Sequence, residues 1–310
     1  MKPDPSPQRR LGPQAGEASD GQLFRPEMPA FAGMTIRKMS VRESLAIAAK
    51  SLAGLSATPR LDAELLMAHA LQVSREDLLL HHLDSPVPAS FGTLLARREA
   101  GEPIAYIAGR RAFWTIELDV APGVLIPRPD SETLLEAAVD HFRTSPGPAR
   151  ILDLGTGSGA LLLAALDEWP EAIGIGIERS PDAIRIAGAN ARKLGMAERA
   201  RIVAGTWTGA DGPHDLILCN PPYIALGDPL PRDVAAFEPA GALFAGPDGL
   251  DAYREIAPVL RPQLAPGGIA CIEIGAGQEA AAAGLFEAQG LSVSGWRDLA
   301  GHVRCLAVRP

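Results

Sequence analysis

Residues 151–178 constrain the fold more than any other stretch of the chain. The apolar run Ile151-Leu152-Asp153-Leu154 leads into Gly155-Thr156-Gly157-Ser158-Gly159-Ala160, and Leu161 to Leu166 then reads as a helix. Glycine lets a backbone pass close to a ligand and adopt φ values closed to other residues. A second apolar run, Ala172 to Ile177, ends in Glu178, and Ser180-Pro181-Asp182 opens another helix with serine as N-cap and proline at the first position. Strand, glycine turn, helix and strand in that order make a βαβ unit. A carboxylate closing the second strand can accept hydrogen bonds from both hydroxyls of a ribose, so the unit reads as a nucleoside site.

Its ligand is not fixed by this unit alone. Gly155, Gly157 and Ala160 also satisfy the loose dinucleotide pattern, which keeps a nicotinamide-dependent dehydrogenase open. An aspartate two residues before the first glycine, with glycines at three alternate positions, is closer to a loop for S-adenosylmethionine (AdoMet). Further on, the apolar run Asp215 to Cys219 ends at Asn220-Pro221-Pro222-Tyr223. Two prolines there end a sheet ladder and preset φ. The asparagine side chain and the next carbonyl can then face a planar amide or amine as acceptors, an arrangement suited to alkylating a poorly nucleophilic NH2. By itself the tetrapeptide is also a turn that closes a strand.

Together these segments resemble the release factor glutamine methyltransferases, the HemK/PrmC family, over roughly residues 40 to 310. The resemblance extends to Gly101-Glu102-Pro103-Ile104-Ala105-Tyr106-Ile107, Phe113-Trp114, Ile126-Pro127-Arg128-Pro129-Asp130-Ser131-Glu132, Phe237-Glu238-Pro239, Gly246 to Leu250 and Glu273-Ile274-Gly275. It implies an α/β fold, a seven-stranded Rossmann-like AdoMet methyltransferase domain preceded by a small helical bundle, with a reversed final hairpin. It implies methylation of the glutamine of the Gly-Gly-Gln motif in bacterial peptide chain release factors. In the family the helical domain docks the substrate. By position, Gly155, Thr156, Gly157, Ser158 and Gly159 approach the methionine part of AdoMet, Glu178 the ribose and Trp207 the adenine, with Asn220 also at the cofactor. Asn220 and Pro221 are the catalytic acceptors, and Pro222 and Tyr223 complete the substrate site. The chain departs from the family at Glu178, where aspartate is usual, and at Thr206, which replaces an aspartate and puts the adenine amino contact in doubt. Other readings stay open: a ribosomal-protein glutamine or DNA adenine methyltransferase, or a non-catalytic AdoMet-fold binding protein.

A formal charge of −8 argues against a general nucleic-acid binder, which neutralises phosphates with a basic surface. Cys219, Cys271 and Cys305 sit singly in apolar runs and read as core residues of a reduced, cytoplasmic protein, and the histidines lack metal spacing, so no metal is expected. No apolar stretch reaches membrane-spanning length.

Four regions emerge. Residues 1–38 are rich in proline and glycine without apolar periodicity and read as a disordered extension, with Met34 and Met39 as alternative starts. Residues 39–100 are helical, with Leu61, Leu65, Leu66 and Ala68 recurring at helix spacing. Residues 101–145 carry a strand-like linker from Ile104 to Ile126 and a connecting helix, in which Asp130 and Ser131 read as helix caps and Arg128 as a ligand for the AdoMet carboxylate or the substrate loop. Residues 146–310 alternate strands near Ile151, Ile173, Ile202, Leu216, Ile269, Leu291 and Leu306 with helices, which predicts a mostly parallel sheet covered on both faces. Asp153 is expected to brace the glycine loop, not to touch ligand.

Overall fold

The structure, a computed structural model, describes residues 39–208, 212–298 and 300–310. The predicted extension 1–38 lies outside the described residues.

The chain begins with a helical bundle: α1 (Val41–Ser51), α2 (Pro59–Leu71), α3 (Arg75–His81), α4 (Phe91–Glu99) and the short α5 (Ile104–Ala108). Ser40 starts α1 with a capping box, its hydroxyl accepting from Glu43 N while Glu43 reaches back to Ser40 N at 2.9 Å. Val41, Leu45, Leu66, Met67, Leu78 and Leu95 form a core of their own. Each such side chain contributes about 1.5–3 kcal/mol on burial. Leu61 is exposed, so the apolar stripe of α2 is narrower than its spacing suggests. Helix spacing also hides charge inside this bundle. Arg98 donates to buried Asp62 at 2.8 Å, and buried Glu64 accepts from Arg60 and Arg75 at 2.6 and 2.8 Å.

The segment expected to be strand-like from Ile104 starts instead with α5, because Pro103 can open a helix and Gly109, at φ 71°, ends it. The hairpin β1 (Arg110–Phe113) and β2 (Ile116–Asp119) follows, antiparallel and turned at Trp114. Next come a 3₁₀ turn, Pro129–Ser131, and α6 (Glu132–Phe142).

The second domain holds β3 (Arg150–Leu154), α7 (Ala160–Glu168), β4 (Ile173–Glu178), α8 (Pro181–Lys193), β5 (Ala200–Ala204), β6 (His214–Cys219), α9 (Arg232–Phe237), α10 (Asp251–Leu260), β7 (Leu264–Glu273), α11 (Glu279–Glu287), β8 (Ser292–Arg297) and β9 (Val303–Arg309). Among the described residues these strands form one seven-stranded sheet in the order β5-β4-β3-β6-β7-β9-β8. β5, β4, β3, β6 and β7 are mutually parallel, and β9 runs antiparallel to both β7 and β8. The predicted reversed hairpin is this β8–β9 pair. Side chains alternate between faces along a strand. Leu216 and Leu218 therefore join the core under α6 and α7, while Ile217 and Cys219 join the one under α10 and α11. All three cysteines are buried free thiols. Strand order reverses between β3 and β6, and there the carboxyl ends of β3, β4 and β6 open a crevice, the usual ligand position in such sheets. No helix among the described residues is long and apolar enough to cross a membrane.

Candidate active site

The crevice has two sides that meet at Asn220. On the first, β3 runs out at Leu154 and the backbone turns through Gly155, Gly157 and Gly159 with φ of 73°, 58° and 86°. These values lie in the left-handed region, which costs an L side chain roughly 1–2 kcal/mol per residue. The turn is pinned from below: Gly155 N and Thr156 N both donate to Ile177 O, at 2.9 and 3.0 Å. Gly176 leaves the space that Thr156 fills, since a Cβ there would stand 2.9 Å from its side chain.

Asp153 braces the turn as expected. Its Oδ2 accepts from Thr156 Oγ1 at 2.5 Å and from Leu162 N at 3.2 Å. Burial pushes its carboxyl up to about 7, against the effect of those two donors. Asn190, fully buried on α8, was not singled out by sequence reasoning. Its Nδ2 donates to Ser158 O and Asp119 O, and its Oδ1 accepts from Asp119 N, so one amide ties the glycine turn to the β1–β2 hairpin. A lone asparagine inside an amphipathic helix carries no sequence signal of that role.

Gly155, Thr156, Gly157, Ser158, Glu178, Trp207 and Asn220 line one cavity of about 230 Å³; Gly159 sits behind it as the N-cap of α7. Glu178 Oε2 accepts from Gly157 N at 2.9 Å, and Oε1 accepts from Arg179 N and Ser180 N at 2.7 and 2.8 Å. A carboxylate offers about four acceptor positions. The three backbone donors therefore leave one, on Oε2, for an outside hydroxyl. Across the cavity the Trp207 ring faces Gly155, and its Nε1 donates to Glu255 Oε2 at 2.6 Å. Thr206 and Glu255 also line this wall, so the carboxylate absent at Thr206 is present one helix away. An acceptor beside an aromatic face, a carboxylate and a glycine turn together fit an adenosine carrying an amino-acid tail, as AdoMet does.

The second side is built from side chains. Asn220, Tyr223, Arg128, Leu230, Pro231 and Val234 line a smaller cavity of about 160 Å³, which shares Asn220, Leu125 and Ala242 with the first. Pro222 faces the larger cavity, and Pro221 lines neither. Arg128 pairs with buried Glu238 and borders the smaller cavity. Ser131 holds the N-cap position of α6, but its side chain makes no cap hydrogen bond. Instead its hydroxyl accepts from Asn220 Nδ2 at 3.0 Å and donates to Glu273 Oε2 at 2.5 Å. Asp130 likewise faces Arg304 on β9, at 3.4 Å.

Glu273 closes β7 and is 1% exposed. Burial raises its carboxyl to about 7, while the Ser131 and Tyr223 hydroxyls pull the other way. Desolvation, reinforced by Glu273, also raises the Tyr223 phenol well above its ordinary value, so it is a hydrogen-bond donor at neutral pH. Gln278 holds the loop below, donating to Tyr223 O at 2.9 Å and accepting from Gly275 N at 3.0 Å. In the sequence Glu273 stands out only through the family resemblance. Its link to Asn220 runs between the ends of the neighbouring strands β6 and β7 through Ser131, and has no local sequence signal.

Residues 43–109 match the PrmC N-terminal domain family, and residues 148–280 match a methyltransferase domain family. The release factor glutamine methyltransferase of Rhodospirillum rubrum is 45% identical over 258 residues, 81% of this chain and 79% of that protein. Proteins of the same name from Caulobacter vibrioides and Cereibacter sphaeroides are 40% and 43% identical, over 79% and 83% of this chain and 88% and 93% of theirs.

Proposed function

The chain belongs to the release factor glutamine methyltransferases, and from that membership we propose that it methylates the side-chain amide nitrogen of the glutamine in the Gly-Gly-Gln motif of bacterial peptide chain release factors. The observation that carries this reading is the position of Asn220, at the junction of the two cavities with its Nδ2 already engaged by Ser131. Its Oδ1 is thereby left to accept.

AdoMet, when bound, supplies a methyl group on positively charged sulfur. Glu178, the glycine turn and Trp207 would hold it in the larger cavity. Asn220 and the peptide that follows it address the other difficulty, that a carboxamide lone pair is delocalised into its carbonyl. Asn220 Oδ1 and the Pro221 carbonyl accept the two amide hydrogens, which localises electron density on nitrogen and stabilises the positive charge developing there. Removing a donor or acceptor of this kind costs about 10²–10³ in turnover. Tyr223, on the wall of the smaller cavity, packs against the glutamine side chain. Holding the amide in line at near-attack distance contributes several kcal/mol more. No strong base is needed, because a protonated N-methyl amide is acidic enough to lose its proton to water.

We infer a cytoplasmic reaction, and a formal charge of −8 supports a protein substrate without stable nucleic-acid binding. The test is transfer of radiolabelled methyl from AdoMet to purified release factor and to its variant with alanine for the Gly-Gly-Gln glutamine. Label on the first alone is expected. Label on both moves the acceptor elsewhere in the release factor, and label on neither ends the reading.

A further inference from the structure

Asparagine presents a carboxamide whose donor end and acceptor end have nearly the same shape. Its value as an acceptor depends on which end faces the substrate. In this protein the choice is made by Ser131, which lines the larger cavity beside Asn220, and by Glu273, buried beyond it. Asn220 Nδ2 donates to Ser131 Oγ at 3.0 Å, and Ser131 Oγ donates to Glu273 Oε2 at 2.5 Å. A serine hydroxyl has one proton to give. With that proton committed to the carboxylate, the oxygen only accepts from its other neighbour, which requires Nδ2 there and turns Oδ1 away.

We propose that Glu273, acting through Ser131, sets the amide orientation of Asn220 and so keeps Oδ1 available to the acceptor nitrogen of the substrate; this rests on the methyl-transfer reading and deepens it. Both are positioning residues. An ionised Glu273 accepts only, and enforces the polarity of the chain. A protonated Glu273 has a proton of its own for Ser131 Oγ. The serine hydroxyl is then free to turn toward Asn220, where it finds an acceptor only if the amide has flipped. Protonation of Glu273 therefore releases the orientation that its ionised form imposes.

The groups around Glu273 come from every neighbouring element. Asp130, before α6, opposes its ionisation, whereas Arg304 on β9 favours it, as do the Ser131 and Tyr223 hydroxyls. The Tyr253 phenol of α10 donates to the Glu273 backbone carbonyl at 3.0 Å, and the buried thiols of Cys219 and Cys305 lie close enough to feel the carboxylate. Burial dominates and places the carboxyl at about 7, inside the working pH range.

The experiment compares wild type with Ser131→Ala, Ser131→Thr and Glu273→Gln between about pH 5.5 and about pH 9, reading kcat and KM for release factor, AdoMet affinity by calorimetry, and Tm. Wild-type kcat is expected to fall on the acid side of about 7. Ser131→Ala and Glu273→Gln should lose about tenfold or more in kcat together with the acid limb, at unchanged KM and AdoMet affinity. Ser131→Thr, which keeps the hydroxyl, should restore both. In parallel, the side-chain amide of Asn220, followed by NMR, should titrate with Glu273 in wild type and not in Ser131→Ala. A Ser131→Ala enzyme with wild-type kcat, or one that keeps the acid limb, overturns the proposal. Loss of kcat accompanied by lost AdoMet affinity or a collapsed Tm overturns it as well, by showing general damage. Should wild type transfer no methyl to release factor, the functional reading fails, and the amide titration still decides whether Glu273 governs Asn220.

Discussion

The two sides of the crevice are made in opposite ways. The floor of the larger cavity comes from one stretch, residues 155–180, where the glycine turn and a glutamate follow in order between β3 and the end of β4. The acceptor that addresses the substrate, Asn220, is held by two further side chains, Ser131 and Glu273, through contacts that join residues 89 and 142 positions apart. A backbone wall suits a ligand that is the same in every turnover, because it is rigid once the turn has formed. A side-chain relay suits a group whose donor and acceptor polarity must be set. The contrast implies that damage to one side should leave the other working, and this separation can be tested.

Asn220→Ala carries the largest expected effect. Turnover should drop by about 10²-fold or more while AdoMet affinity stays within about twofold. Single-turnover methyl transfer beside calorimetry checks it, and near-normal turnover would remove Asn220 from the chemistry. Gly159→Ala is the reciprocal test on the backbone side. Its φ of 86° and the Leu163 Cδ1 atom 2.9 Å from the new Cβ both oppose the change. The strain of about 1–2 kcal/mol should weaken AdoMet binding about five- to thirtyfold, with kcat retained at saturating cofactor. A fall in kcat without a change in affinity would mean the two sides are coupled.

Glu255→Ala should act more gently, because it removes a hydrogen bond at the cavity rim. Freed from Glu255, Trp207 should give an altered fluorescence signal, and AdoMet should bind about threefold less tightly. Unchanged affinity would show that Thr206 needs no compensation from α10.

The smallest effect concerns stability and pH. Asp153 is held at about 7 by burial, above its ordinary value of 3.8, so the folded state takes up a proton that the unfolded state releases. Stability from that group is complete below its ordinary value and is lost as pH rises through about 7. His69 and His214, both lowered by desolvation, act in the opposite sense. The difference between Asp153→Asn and wild type isolates the carboxyl: the variant should gain about 2–4 °C in Tm relative to wild type between about pH 5 and about pH 8. A pH-independent difference would place Asp153 ionised throughout.

Legibility in the sequence follows the same division. The glycine turn, the Ser180 N-cap and the strand ending at Asn220 were readable because each depends on residues within a few positions of one another. Ser131 stands at the N-cap position but its hydroxyl makes no cap bond, because capping is a local rule and that hydroxyl is taken by residues on two other elements. Ile104–Ala108 was misjudged for a different reason: five residues are too few to show a helical period. Asn190 and the buried Asp62–Arg98 pair were invisible because a polar residue on a helix looks the same whether solvent or a partner awaits it.

What this sequence determined by itself is the βαβ unit, the parallel sheet it seeds, and a nucleoside cradle at the strand ends, all of which follow from periodicity and from backbone angles open to glycine. What only the tertiary structure decided is the direction in which Asn220 faces. That direction depends on which hydrogen-bonding groups are brought against its amide, and β7 and the turn before α6 meet there only after the sheet has formed.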